Sequence, residues 1–163
     1  MLISIFRHGI AEDAGLHGPR DPERALTPEG IQRTREAALG LKALELLPDA
    51  IFTSPYVRAR QTAELAALAF GKKTPTLTIT DALLPSADPA HLYGELAGRG
   101  CEQPLCVGHA PHLDLFIGYL LGASASVTEL KKAGLACVEV NDPPMRGGIL
   151  LGLYPPRVLR ALG

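Results

Sequence analysis

The chain has 163 residues, of which 47% are hydrophobic and 20% charged, and 17 acidic against 16 basic side chains leave a formal net charge of −1. That length suits one domain with a single compact core, and the composition excludes a disordered chain. The charge balance excludes a general nucleic-acid binder, which would carry a basic field over much of its surface, yet eleven of the sixteen cations are arginines, enough for a local anion pocket.

Leu2 to Phe6 reads as a short apolar strand of the kind buried on both faces, with Arg7 and His8 at its carboxyl end. A polar loop, "AEDAGLHGPRDPERA", leads to a helix over "LTPEGIQRTREAALGLKALELL", capped by Thr27 with Pro28 at the first helical position. "DAIFTSP" is the second strand, and Ser54 with Pro55 repeats the cap-and-proline signature before a helix over "YVRARQTAELAALAF" that stops at Gly71. "TLTIT" is a short strand and "DPAHLYGELAG" a helix capped by Asp88. "PLCVGHAPHLDLFIGYLLG" repeats the opening pattern: an apolar strand, a histidine at its tip, and a helix entered through a proline. "LACVEV" and "GGILLGLY", separated by the turn-forming "NDPPMRGG", form an antiparallel pair.

The order β, α, β, α, β, α, β, α, β, β predicts one α/β domain over residues 1–163. It is a three-layer α/β/α sandwich whose mixed sheet is mostly parallel, with antiparallel strands at one side. In such sheets ligands sit in the crevice beyond the carboxyl ends of the strands. Three of those ends carry "RHG", "TSPYVRA" and "GHAPH", and so supply Arg7, His8, Ser54, Arg58 and His109. Arginines and histidines gathered without matching carboxylates describe a pocket for a compact anion, for which phosphate is the natural candidate. Taken singly, each residue has a plainer reading. Ser54 with Pro55 is explained as a helix start, Arg58 and Arg60 as solvated helix residues, and Lys72 with Lys73 as an exposed loop pair. Only the coincidence of three strand tips points to chemistry.

Three cysteines, an odd number with no CxxC pair, favour neither a disulfide framework nor a zinc cluster. No secretory leader is visible, and the longest apolar run, "LDLFIGYLLGA", is too short to cross a bilayer and contains Asp114. The expectation is a cytoplasmic protein without membrane or nucleic-acid partners.

"FRHG", "LTPEG", "SPYVRARQT" and "VGHAP", in that order, resemble the histidine phosphatase superfamily, the phosphoglycerate mutase-like fold, over nearly the whole chain. The compact length and "RALTPEG" are most similar to its small SixA-type branch of phosphohistidine phosphatases. The resemblance implies that His8 is the nucleophile and forms a phosphohistidine intermediate, with Arg7, Arg58 and His109 holding the phosphoryl oxygens and Arg24 a further phosphate contact. Gly9 would leave room for the phosphoryl group or supply a special backbone angle, and Ser54 belongs with the substrate-binding residues. Surrounding cations should keep His8 neutral. No metal or other cofactor is called for, because arginines and histidines supply the charge stabilisation.

Larger members of the superfamily carry an acid for the leaving group. Here "TDALLPSADPAHL" offers Asp81, Asp88 and His91 without a clear match, and Asp88 already serves as a helix cap. A phosphoramidate needs such help least, and no insertion is long enough to build a lid, so an open site for a phosphorylated histidine on another protein is expected. Three rival readings stand beside it: a phosphatase or mutase for a small phosphorylated metabolite, a non-catalytic phosphate-binding regulatory module, and a metal site of His8, His109 and His112.

Overall fold

A computed structural model describes residues 1–15, 18, 20–71, 75–141 and 147–163. Lys72, Lys73 and the centre of the expected turn, Asp142 to Arg146, lie outside the described residues. The strands are β1 (Leu2–Arg7), β2 (Ala50–Thr53), β3 (Thr76–Ile79), β4 (Pro104–Gly108), β5 (Leu135–Glu139) and β6 (Ile149–Tyr154). The helices are α1 (Pro28–Ala43), α2 (Val57–Phe70), α3 (Pro89–Gly98), α4 (His112–Leu120) and α5 (Pro156–Leu162). Short 3₁₀ turns occupy Asp21–Glu23 and Asp81–Leu83.

The six strands form one sheet in the order β3-β2-β4-β1-β5-β6. β1, β2, β3 and β4 are parallel to their neighbours in that run, whereas β5 pairs antiparallel with β1, and β6 with β5. The period-2 alternation of each strand sends side chains to two separate cores. Ile3, Ile5, Phe52, Cys106, Ala136 and Val138 meet α3 and α4 on one face. Phe6, Ile51, Leu105, Val107, Leu135 and Cys137 meet α1, α2 and α5 on the other. The result is the three-layer sandwich expected from the alternation of elements. Among the described residues, no helix is long and apolar enough to cross a membrane.

Caps behave largely as the sequence suggests. The Thr27 side chain accepts from the Gly30 N–H and the Asp88 side chain from the Ala90 N–H. Two helix readings need correction. α1 ends at Ala43 rather than Leu47, because Glu45 adopts a left-handed φ of 57° and Leu46 N–H turns back to the Leu41 carbonyl. α2 starts at Val57 with Tyr56 as its flanking residue, so Ser54 is not the helix cap. The C-terminal α5 has no counterpart in the sequence reading. It packs so closely on α1 that a Cβ on Gly40 would lie 2.2 Å from the Leu159 carbonyl oxygen.

Candidate active site

The sheet order explains why three distant motifs meet. β1 lies beside β4, and β4 beside β2, with Arg7 opposite Gly108 and Thr53 opposite Val107. The ladder continues one step past the strands: His8 N–H donates to the Gly108 carbonyl at 3.0 Å and Ser54 N–H to the Val107 carbonyl at 3.1 Å. His8, His109 and Ser54 therefore stand side by side at adjacent strand tips. The chain leaves β1 toward α1 on one face and β4 toward α4 on the other, which opens the crevice between these two strands.

The hydrogen bonds assign the protons of His8. Its Nδ1 lies 2.7 Å from the Gly9 carbonyl, which can only accept, so Nδ1 carries the hydrogen. Nε2 is left with its lone pair, and Arg58 Nε donates to it at 3.3 Å. The His8 pKa is lowered from 6.5 to about 3, first by burial and then by the charges of Arg58, Arg7 and Lys132, against the opposing effect of the Gly9 carbonyl. The neutral imidazole expected from nearby cations is present, but burial contributes more than they do.

His109 stands with its ring centroid 5.1 Å from that of His8, and its Nε2 lies 2.9 Å from Ser54 Oγ. Ser54 Oγ also accepts from the Tyr56 N–H at 3.3 Å, so its own hydrogen is free to point at His109 Nε2. In that arrangement His109 carries its proton on Nδ1, which is buried without a partner. Burial, followed by His8 and Arg58, holds the His109 pKa well below its ordinary value, so this ring is a neutral donor. Ser54, readable from sequence as a simple cap, instead orients a site histidine.

Arg58 is 5% exposed and anchored from the opposite side. Its Nη1 donates to the Asp21 carbonyl at 2.6 Å and its Nη2 lies 3.2 Å from Asp21 Oδ2. Asp21 Oδ1 accepts from Arg24 Nη1 at 2.7 Å, so one carboxylate bridges two of the expected phosphate arginines. Burial opposes ionisation of Asp21, yet Arg24 and Arg58 together keep its carboxyl below the usual range. Arg20, the alternative cation of this loop, is exposed and paired with Glu23.

Arg7 points its Nη1 to the Leu130 carbonyl at 2.7 Å, and Asp114 fixes that segment by accepting from Leu130 N–H at 2.7 Å and Thr128 Oγ1 at 2.9 Å. Gly9 has a reason other than the two expected. Its φ is not in the left-handed region, and an added Cβ would lie 2.0 Å from Thr34 Oγ1 on α1, so the glycine permits close packing behind His8. Its N–H donates to Thr62 Oγ1 at 3.1 Å, and Thr62 in turn donates to the Arg58 carbonyl at 2.7 Å.

The structure does not join the two candidate acids to this cluster. Asp88 is occupied as the α3 cap, and Asp81 is an exposed residue at the start of a 3₁₀ turn. Read from sequence, the crevice is open. In the structure His8, Arg58 and His109 are 6, 5 and 2% exposed, with the Asp21 turn lying against Arg58. Sequence reasoning also passes over Asp21 and Tyr56, whose ring lies 5.0 Å from both the His109 centroid and the Arg58 guanidinium carbon.

The sequence profile of the histidine phosphatase superfamily (branch 1) matches residues 3–83. Over 140 residues the chain is 35% identical to an uncharacterized protein of Picosynechococcus sp., covering 83% of this chain and 82% of that one. Over 125 residues it is 30% identical to the phosphohistidine phosphatase SixA of Escherichia coli K12, covering 74% and 72% of the two chains. The solved structure of the protein histidine phosphatase SixA complexed with tungstate superimposes with a TM-score of 0.83 at 22% identity, covering 96% of this chain and 98% of the other.

Proposed function

Because the chain belongs to the histidine phosphatase superfamily, in its SixA-like branch, we propose that it removes the phosphoryl group from phosphohistidine side chains of a partner protein, using His8 as the nucleophile. The observation that carries this reading is the locked tautomer of His8, with Nδ1–H on the Gly9 carbonyl and the Nε2 lone pair toward Arg58, while the His109 ring lies 5.1 Å away. A neutral nitrogen whose lone pair faces a fixed cationic donor is ready to attack phosphorus without first losing a proton.

In the first step the His8 Nε2 lone pair forms a bond to phosphorus while the bond from phosphorus to the substrate nitrogen breaks. The leaving imidazole departs neutral when its other ring nitrogen is protonated, so no carboxylic acid is required, in keeping with the positions of Asp81 and Asp88. In the second step water attacks phosphorus, the His8–phosphorus bond breaks, and inorganic phosphate leaves with His8 neutral again. Arg58, Arg7 and the Nδ1–H of His109 hold the equatorial oxygens through both transfers, with Arg24 reinforcing Arg58 through Asp21. The cytoplasm is the setting we assign, and the unpaired thiols of Cys101, Cys106 and Cys137 suit its reducing conditions.

The test is incubation with a protein labelled at phosphohistidine, beside a panel of small phosphate esters. Wild type should clear the phosphohistidine protein fastest and form a labelled, acid-labile adduct. His8→Ala should form none and lose at least about 10⁴-fold in turnover, as expected when a nucleophile is removed. Undiminished turnover by His8→Ala would refute the assignment, and absence of turnover in wild type would leave a phosphate-binding module.

A further inference from the structure

Beside His8 the structure holds a second concavity of about 360 Å³, lined by Arg7, Arg33, Thr34, Lys131, Lys132 and Arg160 together with apolar residues. Five cations reach it from β1, α1, the turn before β5, and α5, and none of its lining residues is acidic. Three of these cations have acidic partners: Glu29 with Arg33 at 2.6 Å, Glu129 with Lys131 at 2.5 Å, and Glu36 with Arg160 at 3.7 Å. Those carboxylates stand outside the wall with side chains 58, 82 and 44% exposed, so water screens them. Lys132 makes no ion pair among the described residues. Asp114, the acid nearest in charge to Arg7, spends Oδ1 on Thr128 and Leu130.

Behind this wall two buried polar atoms lack partners. Arg7 Nε is buried with nothing to donate to, and the fully buried Thr34 has no partner for Oγ1. Neither atom is open to the concavity, so what suits this wall to an acceptor is its surplus of positive charge and the absence of a carboxylate from its lining. Its place is equally specific. Arg7 immediately precedes the nucleophile, and the Ala133 N–H of the same wall donates to both the Arg7 and His8 carbonyls, at 3.0 and 3.1 Å.

We propose that this concavity binds a second oxyanion, a carboxylate or phosphate carried by the same substrate beside the phosphoryl group that His8 accepts. The proposal rests on the phosphatase reading and adds the substrate's second recognition element. An independent anion would compete with the reacting phosphoryl group for Arg7, whereas a tethered one arrives with it and shares the guanidinium. A phosphohistidine flanked by acidic residues and a small bisphosphate both present that chemistry.

The experiment compares kcat/KM within two matched pairs: phosphohistidine peptides flanked by Glu or by Gln, and propane-1,3-diol carrying two phosphates or one. Wild type should prefer the anionic member of at least one pair by about tenfold or more, and the responding pair identifies the group as carboxylate or phosphate. Lys132→Ala and Arg160→Ala should bring the preference to within about threefold of unity, while Lys42→Ala, on the last turn of α1, should leave it in place. A preference near unity in both pairs overturns the proposal, as does one that Lys132→Ala and Arg160→Ala leave intact. Failure of the phosphatase reading is distinct: no member of either pair is turned over, no adduct forms on His8, and this proposal falls with it.

Discussion

Asp21 grips Arg58 with two oxygens, its carbonyl taking Nη1 at 2.6 Å and its Oδ2 lying 3.2 Å from Nη2. The remaining carboxylate oxygen holds Arg24. Because the Asp21 side chain is 47% exposed, the ion pair contributes only about 0–1 kcal/mol to stability. Its effect should instead fall on the direction in which Arg58 presents its guanidinium. Asp21→Ala is therefore expected to lower kcat roughly tenfold with a small change in Tm, and Asp21→Asn, which keeps an acceptor, to recover part of the loss. Steady-state kinetics and thermal melts on the two variants check this; a fall in Tm with unchanged kcat would mean a purely structural tie.

Arg58→Ala should be far more damaging. This side chain touches His8, the proposed nucleophile, Nε to Nε2 at 3.3 Å, and is desolvated, so its charge should act at close to full strength on a developing phosphoryl charge. Loss of one such donor removes about 2–4 kcal/mol of transition-state stabilisation, or roughly 10²–10³-fold in kcat. Arg58→Lys should restore little, because an ammonium cannot hold Asp21 and His8 at once from a planar fork. Near-normal kcat in Arg58→Ala would remove Arg58 from the machinery.

The parts of this site that were legible in the sequence are those whose signals are local. An apolar strand ending in Arg7-His8, and another ending in Gly108-His109, mark two tips without any tertiary knowledge, and the alternation of elements suffices to place them in one crevice. Ser54 was half legible: Ser-Pro reads as a helix start, and only the position of β2 beside β4 turns its hydroxyl toward His109. Asp21 was not legible, because its partner lies 37 residues away and an acidic residue in "RDPER" looks like any solvated loop charge. For Gly9 the special backbone angle is absent, and the close contact with Thr34 on the next helix was not legible because it is tertiary. α5 was missed because it is only seven residues long, Pro156 included, too short a run for helical periodicity to show.

Ser54→Ala tests the tautomer of His109. With the serine hydroxyl donating to Nε2, the proton stays on Nδ1, the ring nitrogen that has no protein partner. Without it, the ring is free to carry its hydrogen on Nε2, and the donor is lost from part of the population. The expected outcome is a fall in kcat of about tenfold with KM little changed, as for an interaction felt mainly in the transition state. Ser54→Thr, which keeps the hydroxyl, should recover most of it. A rise in KM alone would assign Ser54 to ground-state binding.

His112 offers a stability test independent of catalysis. It is fully buried at the start of α4, stacked on Phe116 with rings 2° from parallel, and neither ring nitrogen has a partner. Burial lowers its pKa from 6.5 to about 4, partly offset by the Asp88 carboxylate. Between pH 6.5 and about 4 the unfolded chain therefore binds a proton here that the folded chain refuses, so unfolding becomes easier as pH falls through that window. Each such proton costs about 1.4 kcal/mol per pH unit. His8 and His109, both depressed by burial, add to the same slope. His112→Leu loses no hydrogen bond and removes one of the three protons. Urea unfolding at pH 7, 6 and 5 should show similar stability for variant and wild type at pH 7, and a shallower acid decline in the variant, by roughly one proton's worth. Equal slopes in the two proteins would mean that His112 titrates in the folded state much as it does in the unfolded chain, and that water reaches its ring.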